Sequence, residues 1–80
     1  MAVLSKAARA AKLRTLAEIE GFAGIEDLLE RFATDSVGPA ICTNAGCDYT
    51  AELEPDAREG WCEACRTRTV ASALVLAELI

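Results

Sequence analysis

Four cysteines are the residues whose type and spacing are best suited to chemistry in this chain. Cys42 and Cys47 form a C-x4-C pair, Cys62 and Cys65 form a C-x2-C pair, and fourteen residues separate the two pairs. The chain contains no histidine. Two close cysteine pairs joined by an insert of this length are typical of a tetrahedral zinc site with four thiolate ligands.

Four protein ligands leave no open coordination position, so such an ion stabilises structure and does not activate a substrate. We therefore predict one structural Zn²⁺ per chain, bound by all four cysteines. Gly46 directly precedes Cys47, where a turn with positive φ favours glycine. Arg66 and Arg68 follow the second pair, and we expect them to offset, from the surroundings of the ligands, the negative charge of a zinc tetrathiolate.

Three other interpretations of the cysteines remain open. An iron site of the rubredoxin type uses the same class of spacing. The run Trp61-Cys62-Glu63-Ala64-Cys65 is similar to the W-C-x-x-C of thioredoxins, but the βαβ context is absent and a redox pair leaves Cys42 and Cys47 unexplained. Two disulfides are the third interpretation, and no export signal is visible at the N-terminus to favour them.

Size and charge limit the classes of function. The chain has 80 residues and a formal net charge of −5. A core of this size rarely contributes more than ~3–5 kcal/mol to folding stability, so a bound metal ion would add stability that a small domain needs. Because the body is acidic, only the basic N-terminal segment is suited to attracting nucleic acid. Its basic residues, the candidate nucleic-acid contacts, are Lys6, Arg9, Lys12 and Arg14.

The first half of the chain has the pattern of two helices. Ser5 is a good N-cap for an alanine-rich helix that reaches about Glu20, with Gly21 at the position after its C-cap. Gly24 precedes a second helix, whose apolar residues follow the i, i+3, i+4, i+7 pattern: Ile25, Leu28, Leu29 and Phe32. The short connection predicts a helical hairpin over residues 1–36.

The second half, residues 37–80, predicts a four-cysteine module. Residues 36–39 have the composition of a loop, and residues 49–54 alternate like a half-buried strand. Trp61 then begins a return strand, so a β-hairpin is expected to join the cysteine pairs. Thr69 is the expected N-cap of a helix that continues to Ile80.

The predicted fold is therefore α+β in one compact domain. An N-terminal helical hairpin precedes a zinc-ribbon-like β-hairpin and a C-terminal helix. A treble clef, with Cys62 and Cys65 at the start of the last helix, is the alternative. Because that helix is apolar nearly all round, it must be buried. Either the first two helices cover it, or one side, around Leu76 and Ile80, meets a partner or a second copy of the chain.

Several motifs resemble a family of small four-cysteine proteins of tailed phages and prophages. They are the C-x4-C pair, Glu54-Pro55-Asp56, Gly60-Trp61-Cys62-Glu63-x-Cys65, Thr69-Val70, residues 72–77, residues 13–22 and residues 35–37. Relatives often have glycine after the last cysteine, where this chain has Arg66. The resemblance implies zinc binding and an origin on a mobile element, and the function of the family is unassigned.

The favoured function is a non-enzymatic, zinc-stabilised interaction module. There is no histidine to act as a base, and no serine has an obvious activating group. A phage or prophage accessory protein of this kind is expected to bind a host protein of transcription or antiviral defence in the host cytoplasm, without a membrane or small-molecule substrate. The alternatives are a nucleic-acid-binding regulator that uses the basic N-terminal helix and a CxxC redox protein.

Overall fold

The computed structural model describes residues 4–79, in which two helices precede the four strands of an antiparallel sheet and a short helix follows them. The elements are α1 (Lys6–Glu20), α2 (Ile25–Phe32), β1 (Gly38–Cys42), β2 (Thr50–Leu53), β3 (Gly60–Cys62), β4 (Thr67–Ser72) and α3 (Ala73–Leu76). Within the described residues the strands form one sheet in the order β2-β1-β4-β3, and every neighbouring pair is antiparallel. This confirms the predicted mixed α+β class.

Both predicted N-terminal helices are present with the expected ends. The Ser5 side chain accepts a hydrogen bond of 3.1 Å from the N–H of Ala8, which caps α1. Gly21 ends the helix in the left-handed conformation with φ of 85°. The Phe22 and Phe32 rings meet edge to face, with centroids 5.9 Å apart, so α2 folds back against the end of α1. These ends depend on local chemistry and were predictable for that reason.

A central strand begins inside the segment that was expected to be a loop. The prediction for residues 36–39 is wrong because β1 starts at Gly38 and is buried throughout. Pro39 pairs with Glu52 of β2, whereas the residues of β1 that pair with β4 begin at Ala40. Pro39 therefore lies in the part of β1 that pairs with one neighbouring strand only. Its lack of a backbone N–H disturbs the sheet least at such a position.

The two cysteine pairs lie on two different hairpins. The expected single hairpin of residues 49–62 is wrong, because β2 and β3 are at opposite edges of the sheet. β2 pairs with β1, and β3 pairs with β4. Each cysteine pair thus belongs to the connection between two neighbouring strands, and the pairing of β1 with β4 brings the two connections side by side.

The expected C-terminal helix is mostly a strand. Residues 67–72 form β4, and helix α3 covers only Ala73–Leu76, capped by the Ser72 side chain. Thr67, Thr69 and Val70 are β-branched and pack well in a strand, and β4 is paired on both sides. The treble-clef alternative is wrong for the same reason, because a strand and not a helix follows Cys65.

The helices and the sheet share one hydrophobic core. Its buried residues are Leu13, Leu16, Ala17, Leu28, Ile41, Ala71, Ala73, Val75 and Leu76. Helices α1 and α2 therefore cover α3, which was one of the two expectations for this segment. Leu76 is only 2% exposed, so it is a core residue and is not available as an interface residue. Ile80, the other residue of that expected interface, lies outside the described residues. A second buried cluster contains Ala40, Cys42, Cys62 and Val70.

Candidate metal centre

The first cysteine turn connects β1 to β2. Cys42 is the last residue of β1. The backbone N–H of Cys47 donates to the carbonyl of Asn44 at 3.2 Å, which closes the turn. Gly46 has a φ of 79°, as predicted from its place before Cys47. A glycine there allows the chain to reverse within a few residues and turn the Cys47 side chain back toward Cys42.

The second cysteine turn connects β3 to β4. The carbonyl of Cys62 accepts the N–H of Arg66 at 2.7 Å, and the Cys62 Sγ accepts the N–H of Cys65 at 3.3 Å. Arg66 has a φ of 57°, the left-handed conformation. The turn therefore has the backbone that a glycine after the last cysteine would adopt, although a residue with a side chain occupies the position.

The four Sγ atoms lie within 4.8 Å of one another. The Sγ atoms of Cys42 and Cys65 are 3.9 Å apart, and those of Cys47 and Cys62 are 3.7 Å apart. A Zn–S bond of about 2.3 Å corresponds to a sulfur–sulfur distance of about 3.8 Å in a regular tetrahedron. The four cysteines are thus close enough to bind one metal ion.

Comparisons of the whole chain with protein families, with curated proteins and with solved structures find no match. The geometry of the cysteines is therefore the direct guide to function.

The structure bears on the disulfide and redox interpretations of the cysteines. All four cysteines are free thiols. Cys62, which is the first cysteine of the CxxC motif and would be the attacking thiol of a redox pair, is fully buried. A catalytic thiol of that kind is normally accessible to its substrate.

Among residues 4–79, no helix has the length and apolar character needed to cross a membrane.

The thiols strongly influence one another's ionisation. Burial raises the pKa of Cys42, but hydrogen bonds from the Thr69 hydroxyl and the Asn44 N–H outweigh it and lower that pKa to about 7. At Cys47 the N–H of Tyr49 favours the thiolate, but the neighbouring sulfurs and partial burial raise the pKa to about 12. Thiolates this close together repel one another unless a cation lies between them.

Thr69 is the residue of the site that sequence reasoning placed wrongly. Its Oγ1 lies 3.2 Å from the Cys42 Sγ and 2.9 Å from the Thr67 hydroxyl. Its carbonyl accepts hydrogen bonds from the N–H of Thr43 at 2.7 Å and from the Thr43 hydroxyl at 2.8 Å. Thr69 was expected to cap a helix, and it instead ties the first cysteine turn to β4. Only the strand pairing reveals this role.

The basic residues of α1 divide into two groups. Lys12 Nζ donates to the carbonyls of Asn44 and Cys47, and Arg9 donates to the carbonyl of Val75 at 3.2 Å. Lys6 and Arg14 are exposed. Of the four candidate nucleic-acid contacts, two are therefore engaged with the protein's own backbone. Arg9 and Lys12 keep their positive charges, but some of their N–H donors are already bonded to backbone carbonyls.

The surface next to the second cysteine turn contains an unusual aromatic residue. Trp61, the chain's single tryptophan, is 53% exposed on the edge strand β3. It is the cross-strand partner of Arg68, so the two side chains project from the same face of the hairpin. Arg66 and Arg68 are also exposed. Their predicted effect on the charge of the metal site stays a prediction.

Proposed function

We propose that this protein is a non-enzymatic interaction module whose fold is stabilised by one structural Zn²⁺. The observation that carries the proposal is the set of four Sγ atoms within 4.8 Å, with two pairs separated by 3.7 and 3.9 Å. Four thiolates would fill a tetrahedral coordination shell, so Cys42, Cys47, Cys62 and Cys65 would hold the ion and leave no position for a substrate.

The position of the cysteines within the fold supports a structural role. Each pair lies on one hairpin, as in a zinc ribbon, and the ion would join the β1–β2 connection to the β3–β4 connection. Structural zinc sites contribute apparent binding free energies of roughly 10–16 kcal/mol in small peptides. That is more than the core of a small domain usually supplies. We therefore expect the sheet to depend on the metal.

Metal analysis of the purified protein tests the first part of the proposal. Elemental analysis should find one zinc per chain, and Co²⁺ substitution should produce the intense sulfur-to-metal absorption of a tetrathiolate. Cys47→Ser should weaken this absorption and the zinc affinity, whereas Ser36→Ala, at an exposed position before β1, should change neither. Iron in place of zinc would be visible as a coloured protein. A metal-free chain that keeps its fold in the presence of a chelator would overturn the proposal.

Trp61 and Arg68 support the second part, the interaction with a protein. Tryptophan and arginine are the residues most enriched among the energetic centres of protein interfaces. A small domain gains much by burying its one tryptophan, yet this chain leaves half of the residue exposed. We propose that the partner is a protein segment that presents an apolar side chain to Trp61 and a carboxylate to Arg68.

The resemblance to phage and prophage proteins suggests the source of this partner. We propose that the protein is a mobile-element accessory protein and that the partner is a host protein of transcription or antiviral defence. Free cysteines suit the reducing cytoplasm of a host cell.

Affinity capture from nuclease-treated host lysate tests the interaction with matched variants. A partner bound by the wild type should be lost with Trp61→Ala and with Arg68→Glu. It should be retained with Ile19→Ala, which shortens an apolar side chain of similar exposure elsewhere on the surface. Zinc content measured on each variant shows that the fold is intact. Equal capture by Trp61→Ala and wild type would disprove the role of this surface.

A further inference from the structure

One side chain of the helical hairpin reaches directly into the first cysteine turn. Lys12 Nζ lies 2.6 Å from the carbonyl oxygen of Cys47 and 2.7 Å from that of Asn44. Both contacts are partly buried, and they join residues 32 and 35 positions apart in the sequence. A lysine ammonium has three donors, so this arrangement uses two of them on the backbone of a turn that contains a candidate ligand.

Hydrogen bonds to the Asn44 and Cys47 carbonyls hold the first cysteine turn in its present shape. The Asn44 carbonyl already accepts the N–H of Cys47 at 3.2 Å, and Lys12 adds a second donor to the same oxygen. The Asn44 side chain also lies 3.4 Å from the hydroxyls of Thr67 and Thr69. The turn is therefore fixed to α1 on one side and to β4 on the other, with Lys12 as the link to the helix.

Lys12 also places a positive charge beside the thiolate cluster. Four thiolates and one Zn²⁺ carry a net negative charge, which a neighbouring cation stabilises. Arg66 and Arg68 are exposed, so water and salt screen their effect on the site. Lys12 is partly buried, and its charge is correspondingly less screened.

We propose that Lys12 is a positioning residue of the metal centre, which fixes the Cys42–Cys47 turn for metal binding and supplies a partly buried compensating charge. This inference rests on the proposed zinc site. It assigns to Lys12 a role within the protein in place of the expected contact with nucleic acid. It also makes the affinity for the metal depend on the docking of α1.

Competition for zinc with a chromogenic chelator tests the proposal. Removal of a group that supports metal ligands typically lowers metal affinity 10–100-fold, and we expect about ten-fold or more for Lys12→Met. Lys12→Gln keeps an N–H donor without the charge and should lie between Lys12→Met and the wild type. Arg14→Met removes an exposed charge from the same helix and should match the wild type. The loss in Lys12→Met should be smaller at high salt, because salt screens the charge in the wild type.

The outcomes separate this inference from the proposed zinc site. Zinc affinity of Lys12→Met within two-fold of Arg14→Met would overturn the role of Lys12, while the Co²⁺ tetrathiolate absorption would still confirm the metal site. A wild-type protein without that absorption would disprove the site itself. If Lys12→Met does not fold, NMR of the zinc-bound wild-type protein provides the test. The ammonium protons of Lys12 should exchange slowly with water, and fast exchange would overturn the inference.

Discussion

The Thr69 hydroxyl lies 3.2 Å from the Sγ of Cys42. The contact connects the middle of β4 to the last residue of β1, across the central pair of the sheet. When Cys42 is ionised, the hydroxyl donates to the thiolate, and this hydrogen bond is one of the causes that lower the pKa of Cys42 to about 7. The pairing of β1 with β4 thus places a hydrogen-bond donor next to a candidate ligand.

Replacement of Thr69 by valine should make the protein lose zinc at a higher pH. Thiolates bind the metal and protons compete for them, so zinc is released as the pH falls. Without the hydroxyl, the pKa of Cys42 should rise from about 7 toward its ordinary value, and protons should compete successfully at higher pH. A zinc-sensitive dye can follow release during acidification. Thr15→Val, which removes a hydroxyl that donates to the Ala11 carbonyl within α1, is the control, and an unchanged release midpoint in Thr69→Val would contradict the prediction.

Replacement of Arg66 by glycine should stabilise the zinc-bound protein. A non-glycine residue in the left-handed conformation costs about 1–2 kcal/mol, and Arg66 has a φ of 57°. Glycine also increases the entropy of the unfolded chain, so we expect a net gain of up to about 1 kcal/mol. Urea unfolding in saturating zinc measures it. Arg68→Gly, inside β4, should instead lose about 0.5–1 kcal/mol. Destabilisation of both variants would show that the Arg66 side chain makes a compensating contact.

Replacement of Gly60 by alanine should destabilise the sheet. A Cβ at this position would overlap Cδ1 of Leu53 and lie 3.1 Å from the carbonyl oxygen of Val70. Overpacking of this kind costs about 1–3 kcal/mol. Because Leu53 is the closer neighbour, the Gly60→Ala/Leu53→Ala double variant should lose less stability than the sum of the two single variants. Additive losses would show that the Val70 backbone, and not Leu53, limits the space at Gly60.

Truncation of Leu76 should reduce stability without changing the oligomeric state. Leu76 is 2% exposed in the core shared by the helices and sheet, and Leu76→Ala should cost about 2–5 kcal/mol. Leu79 is 62% exposed, and Leu79→Ala should change stability by less than about 0.5 kcal/mol. Urea unfolding and light scattering measure the two properties. A stable Leu76→Ala variant that changes its oligomeric state would restore the interface interpretation.

Features that depend on neighbouring residues were predictable from the sequence alone. The Ser5 cap, the left-handed Gly21 and the apolar stripe of α2 follow from short-range hydrogen bonding and helical periodicity. The clustering of the four cysteines was also predictable, because short spacing within each pair places both thiols on one turn. Gly46 has the predicted positive φ for the same local reason.

The tertiary structure alone decided the features that depend on distant partners. Residues 69–72, in which Val70 and Ala71 lie between two hydroxyl-bearing residues, suit a helix start or a strand, and pairing with β1 and β3 selects the strand. Lys12 has the sequence context of a solvated helix surface, and the packing of α1 near the first cysteine turn converts it into a donor to that turn. The pairing of β1 with β4 and the contacts of Lys12 are hydrogen bonds between residues far apart in the chain, so a local sequence pattern does not predict them.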